Sequence, residues 1–344
     1  MTYPRWQILL RAAAAASLGL VIMSAAALAE EASPAAGPVE EASPAVQPVA
    51  GSVTLYTSVT EDTVDAVLAA LAEVHPDLRV EVFRAPTGEL DARIASERRS
   101  GGLGADLLWL TDPLSIGQYQ ADGLLAPLEA EVIEDVPAEF RADTFVGTRL
   151  LNLVIVAGQE VDPQPASWAD LADPAYAGRV AIPDPGFAGS AFAALGYLGT
   201  AEGYGMDFYA RLKDNGVVVV PSPVDVLTGV AEGNYDVGIS LDKLARDIIA
   251  KGSPIEMVWP ETGAIAVYSP AAVVATSDDP EAAQALQAFL VSAEGQAAIA
   301  STGWQPVRAD VPWPYDGAVV SPDWAELYGS AGQLLEEYDA IFGD

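Results

Sequence analysis

Cysteine is absent from all 344 residues. That excludes disulfides, thiolate nucleophiles and a lipid-modified cysteine behind an export signal, so the folded chain must be held together by its core alone. Histidine occurs once, at His75, and lysine only at Lys213, Lys243 and Lys251. Basic residues as a whole are scarce, 16 against 49 acidic, for a formal net charge of −33. A surface so negative excludes nucleic acid and anionic lipid as partners, and acidic excess with little lysine fits a salty habitat. Catalytic signatures are missing too. No His-Glu-x-x-His helix and no phosphate-binding P-loop occur, and Ser190 stands in Ala-Gly-Ser-Ala, which is not a nucleophile elbow. A hydrolase working through two carboxylates stays open, because any two of 49 acids could meet in space.

Charge is also missing from the start of the chain. Arg5 and Arg11 are the only charged residues before Glu30, Ala12 to Ala29 is uncharged, and the stretch ends in Ala27-Leu28-Ala29. This is the layout of a cleaved secretory signal over 1–29, with an uncleaved anchor as the alternative. The two arginines are not adjacent, which argues against a twin-arginine signal. From Glu30 on, 14 basic residues face 49 acidic ones, a net charge of −35. Residues 30–51 carry EEASPA twice and four prolines. Such a segment has no apolar face and cannot form a long helix, so it reads as an extended spacer. About 290 residues remain, enough for two domains with cores of their own.

From Ser52 the pattern alternates. SVTLYTS, LRVEVFRA and ADLLWLT read as strands, separated by the helical EDTVDAVLAALAEVHP and GELDARIASERRSG. A strand over 149–158 leads into a second α/β unit, and GAIAVYSPAAVVA returns from it to two closing helices. This order predicts an α/β fold of two lobes joined by paired crossings, each lobe a mixed sheet flanked by helices, with a ligand cleft between them. Lobe 1 is expected to comprise 52–156 plus 266–344, with lobe 2 inserted at 157–265. In such sheets ligands gather beyond the carboxyl ends of the strands. Here those ends are Thr57-Ser58, Pro86-Thr87-Gly88 and Thr111-Asp112.

In the second unit the strand VAI runs through two prolines and two glycines into a helix opened by Gly189-Ser190. Ser190 reads equally as a helix N-cap and as part of an anion site at a helix N-terminus. Ser58 has the same double reading, since Ser58-Val-Thr-Glu61 fits a capping box. Hydroxyl-bearing turns from both lobes would form a cage for an oxyanion that needs no arginine.

VTLYTS, SWADLADPAYAGRVAIPDPGFAGSAFAAL, AEGNYDVGIS and the run from KGSPIEMVWPETG to GWQPVRADV together resemble the extracellular solute-binding proteins of ABC importers. They are most similar to the ferric-iron, 2-aminoethylphosphonate and sugar-phosphate binders of the type II periplasmic binding fold. The likeness covers nearly everything from Ser52 to Val311. It implies a monomer, exported to the periplasm or secreted, that closes like a hinge on a small solute and hands it to a permease in the cytoplasmic membrane, with neither enzyme activity nor cofactor. Iron binders of the group use an adjacent tyrosine pair after a strand like YDVGIS, and here Asp242-Lys243 stands in its place. Ferric iron is therefore the alternative cargo, with the tyrosines at 56, 204, 209 and 268 still available. A small organic anion, a phosphonate or phosphorylated metabolite, is the first expectation. Asp242 and Lys243 would then set selectivity, or else decorate an exposed first helical turn, and Tyr268 would sit at the hinge or touch the ligand. His75, before a proline, reads as a surface-turn residue, and Trp168 and Trp259 as packing residues.

Overall fold

The computed structural model describes residues 47–129, 133–315 and 317–343. The expected signal segment lies outside the described residues, as does most of the spacer. Among the described residues no helix is long and apolar enough to cross a membrane.

The chain opens with β1 (Gly51–Thr57), α1 (Glu61–Val74), β2 (Leu78–Arg84), α2 (Thr87–Ser100), β3 (Leu107–Trp109) and α3 (Pro113–Ala121). β1 pairs in parallel with β2 on one side and β3 on the other. The long β4 (Val146–Gly158) leads to β5 (Val180–Pro183), α4 (Gly189–Leu198), α5 (Gly205–Asp214), β6 (Val218–Val220), α6 (Pro223–Ala231), β7 (Val237–Leu241), α7 (Asp242–Ala250) and β8 (Ile255–Val258). A second long strand, β9 (Ala264–Val273), returns the chain to α8 (Pro280–Val291), α9 (Ala293–Ser301), β10 (Gln305–Pro306), β11 (Val319–Val320), α10 (Trp324–Leu327) and α11 (Ala331–Phe342). Ser292 splits what reads in sequence as one helix, because its hydroxyl caps α9 by accepting from Gly295 N–H at 3.0 Å.

Sheet order is β2-β1-β3-β9-β4-β7-β5-β6. β4 and β9 run antiparallel through its centre and serve both halves. The end of β9 pairs with β3, and the end of β4 pairs with β7 and β8. Both long strands are buried almost throughout and correspondingly apolar. The first half thus offers the ends of β1, β2 and β3 to the cleft, and the second half offers the starts of α4, α6 and α7. Two parallel α/β halves joined by an antiparallel pair of crossings make the two-lobed type II periplasmic binding fold expected from the sequence.

One irregularity in β4 matters for function. Its register with β9 passes from Gly147 opposite Pro270 to Arg149 opposite Ser269, leaving Thr148 as an extra, bulged residue. Thr148 is fixed in place, accepting from Trp109 Nε1 and donating to the Ser269 carbonyl, both at 2.8 Å. Beyond the bulge, alternation places Arg149 and Leu151 on one face of the sheet and Leu150 on the other.

Candidate functional site

The cleft holds a cavity of about 180 Å³ at the strand ends and helix starts. Ser58, Thr87, Thr111, Gly189 and Ser190 line it, as do Arg84, Arg149, Ser222, Val224, Leu241, Leu244 and Trp304. The hydroxyls form a connected group, with Thr111 Oγ1 lying 3.1 Å from Ser58 Oγ and 3.2 Å from Thr87 Oγ1. Gly189 closes on this group from the opposite lobe. A Cβ there would come within 2.6 Å of both threonine hydroxyls and 2.7 Å of Asp112 Oδ2. The backbones touch beside it, where Gly88 N–H donates to the Phe187 carbonyl at 3.3 Å. A side chain on Gly88 would collide with the Gly186 carbonyl.

Neither capping reading describes these turns. Ala188 is the N-cap of α4 and makes no side-chain bond, so Ser190 lies inside the first turn. Thr60 is the N-cap of α1 and its side chain caps no backbone N–H, while the Ser58 hydroxyl is engaged with Thr111. The starts of α2 and α4, neither capped by a side chain, therefore turn their positive ends towards the cavity. Asp112 does act as a cap, accepting from Ser115 N–H at 2.7 Å through one oxygen, while its other oxygen finds no partner among the described residues. Burial, with the negative charge of Asp91 adding to it, pushes the Asp112 carboxyl up to about 7. Near neutral pH the acid is thus about half protonated, and an anion bound close by would favour its neutral form.

Arg149 was not anticipated as a site residue, and it corrects the expectation that no arginine is needed. The residue is 1% exposed, yet its Nε and Nη1 have no hydrogen-bond partner among the described residues. Its guanidinium stacks 4.5 Å from the centre of the Trp304 ring and 6.0 Å from that of Trp109. Burial lowers its pKa to about 9, so it remains charged at neutral pH. A buried charge without a hydrogen-bonded counterion is costly, Asp62 acting on it only through space, and an incoming oxyanion would relieve that cost. Trp304 Nε1 is a further buried donor without a partner among the described residues. The one signal in the sequence is the charge itself, a single arginine heading the apolar run LLNLVIVAG.

Gly88 and Asp112 lie beside the cavity without lining it, and Asp242, Lys243 and Tyr268 do not line it either. Leu241, the last residue of β7, and Leu244, in the first turn of α7, occupy its wall. Asp242 and Lys243 are not exposed decoration either, at 3% and 7%. Asp242 pairs with Arg246. Lys243 reaches Asp62 on α1 at 3.1 Å and Asp247 at 2.8 Å. Tyr268 sits opposite Leu150, on the far face of the sheet from Arg149, and its hydroxyl lies 2.6 Å from that of Tyr328. His75 is buried rather than at the surface, and its Nδ1 accepts from Val49 N–H at 2.9 Å. Trp168 is buried, with Nε1 donating to the Gly263 carbonyl. No tyrosine, histidine or carboxylate is among the described residues that line the cavity.

The two-lobed fold with a cavity at its strand ends defines a periplasmic-type binding protein. The family described as bacterial extracellular solute-binding protein matches residues 53–305, and the chain belongs to it. It is a family of binding proteins, which sets aside the carboxylate-dependent hydrolase. A protein of Haemophilus influenzae is 24% identical over 230 residues, 62% of this chain and 65% of that protein, just under two thirds of its length. Among solved structures, iron-bound HitA from Pseudomonas aeruginosa has a TM-score of 0.74 at 23% identity, covering 84% of this chain and 99% of its own. AfuA from Actinobacillus pleuropneumoniae, solved with fructose-6-phosphate bound, has a TM-score of 0.76 at 18% identity, covering 84% of this chain and 98% of its own. At these identities the likeness is one of fold.

Proposed function

We propose that the protein captures a small organic anion, a phosphonate or phosphorylated metabolite, outside the cytoplasmic membrane and delivers it to the permease of an ABC importer. The chain is exported through a cleaved signal peptide and works as a monomer. Lobe 1 comprises 52–156 and 266–344, and lobe 2 comprises 157–265. A ligand touching both lobes selects the closed arrangement. The reading rests on the buried, unpartnered guanidinium of Arg149 in the cavity wall. The uncapped starts of α2 and α4 and the hydroxyls of Ser58, Thr87, Thr111 and Ser190 complete the set of donors. An anion is preferred over ferric iron because iron needs converging anionic oxygens, whereas this lining carries the positive charges of Arg84 and Arg149.

Isothermal titration of the purified, metal-free protein with phosphonates, organic phosphates and ferric citrate tests this. Saturable binding of an anion is expected, lost in Arg149→Gln, while the ligand-free variant melts no lower than the parent because an uncompensated buried charge has gone. Anion binding unchanged in Arg149→Gln, or uptake of iron alone with a charge-transfer colour, would overturn the reading.

A further inference from the structure

The cavity is chemically two-sided. Its hydroxyl side is the mutually bonded group of Ser58, Thr87 and Thr111 beside Gly189. Leu151, Pro223, Val224, Leu241 and Leu244 make up an apolar side. Of three further hydroxyls in the lining, that of Ser190 stands at the start of α4 on the same side as Gly189, and the other two are already engaged with their own helices. Thr60 bonds Thr63 at 3.1 Å, and Ser222 bonds Asp225 at 2.6 Å. No carboxylate and no side-chain amide is among the described lining residues. Of the nearby acids, Asp242 is paired with Arg246, and Asp112, which caps α3 through one oxygen and leaves the other without a partner among the described residues, is not in the lining. Val224, in the first turn of α6, is 52% exposed although apolar, which leaves it available to a ligand.

Each part of a bound solute must find its chemical counterpart. An oxyanion head is served by Arg149 and by the unpartnered Trp304 Nε1. An ammonium group on the body of the ligand would have no carboxylate to face. Sugar hydroxyls would have few acceptors, and each one buried without a partner costs roughly tenfold in affinity. A hydrocarbon body would instead cover Val224 and Leu244 and remove their surface from water.

We infer that the solute is a small oxyanion whose remaining body is compact, apolar and free of hydrogen-bonding groups. This narrows the anion reading above and rests on it. Amino-substituted phosphonates and sugar phosphates are then poor ligands, although they share the charged head.

Matched probes separate the two levels. Propylphosphonate and 2-aminoethylphosphonate differ only in a methyl against an ammonium group, and pentanoate with 4-aminobutanoate repeats the comparison for a carboxylate head. Fructose 6-phosphate tests the sugar, and inorganic phosphate tests the head alone. Calorimetry on the purified protein should give the apolar member of a pair at least about tenfold tighter binding than its amino counterpart and than fructose 6-phosphate. Val224→Asn, at a half-exposed position, should shrink that preference several-fold. Equal or tighter binding of an amino compound or of fructose 6-phosphate overturns the inference and leaves the anion reading standing. Failure of every anion, phosphate included, overturns the anion reading itself.

Discussion

Asp112 is a buried acid at the meeting point of two lobes, and its ionisation carries a definite sign. Burial and the charge of Asp91 hold its carboxyl near 7, against an ordinary 3.8. Asp91, bonded by Tyr119 and Ser115, is itself raised by burial to about 6. Below about pH 4 both the folded and the unfolded chain keep the Asp112 proton, and the native state bears no penalty. As pH rises from about 4 towards 7 the unfolded chain releases it first, so stability falls, and it levels off above the folded value. Asparagine keeps the cap of α3 and removes the titration. Asp112→Asn should therefore raise the melting temperature by about 5 °C at pH 8 and hardly at all at pH 4. Melting curves of both proteins across that range check it, and a difference independent of pH would refute the assignment. Legibility at this scale was uneven. Ser58, Thr87, Thr111, Gly189 and Ser190 stood out because strand ends and helix starts have local signatures, and the cavity contains all five. Arg149 and Trp304 had no such signature. They are 155 positions apart in the chain and meet only because β10 lies against β4, Pro306 opposite Arg149.

At the scale of elements, the start of α4 is the part most sensitive to closure. Gly189 has an ordinary helical place, and Ala is the better helix former by about 1 kcal/mol. A methyl group would nevertheless lie 2.6 Å from the Thr87 and Thr111 hydroxyls, which belong to the other lobe. Gly189→Ala should leave the ligand-free melting temperature within about 2 °C of the parent. It should weaken the tightest anion by about tenfold or more, since the lobes can no longer meet as closely. Unchanged affinity would mean that α4 and these threonines do not approach one another in the bound state. The same scale explains why Asp242 and Lys243 misled. Sequence locates the helix that follows β7 but not its rotation, and the rotation seen here gives the cavity wall to Leu241 and Leu244. The strand-and-helix order itself was legible because each half alternates regularly. The bulge at Thr148 was not, since nothing in GTRLLN distinguishes an extra residue from an even strand.

For the molecule as a whole, local and global electrostatics oppose each other. From Glu30 on the chain carries −35, yet the cavity is walled by Arg84 and Arg149 and faced by uncapped helix starts. An approaching anion is first repelled by the overall field and is attracted only within the cleft. Salt acts unequally on the two. Between about 0.1 M and about 1 M the screening length falls from about 10 Å to about 3 Å, which removes long-range repulsion while direct contacts to a buried guanidinium are screened much less. The association rate should therefore rise with salt, whereas the dissociation rate should change little. That is the reverse of an anion site on a neutral or basic protein, where added salt slows capture. Self-repulsion in the compact state is relieved by the same screening, so the melting temperature should climb in parallel. Stopped-flow fluorescence reads the rates, with Trp304 in the cavity wall as the reporter. Association that slows as salt is added would mean that the local positive potential reaches beyond the cleft and governs encounter, in spite of the acidic surface.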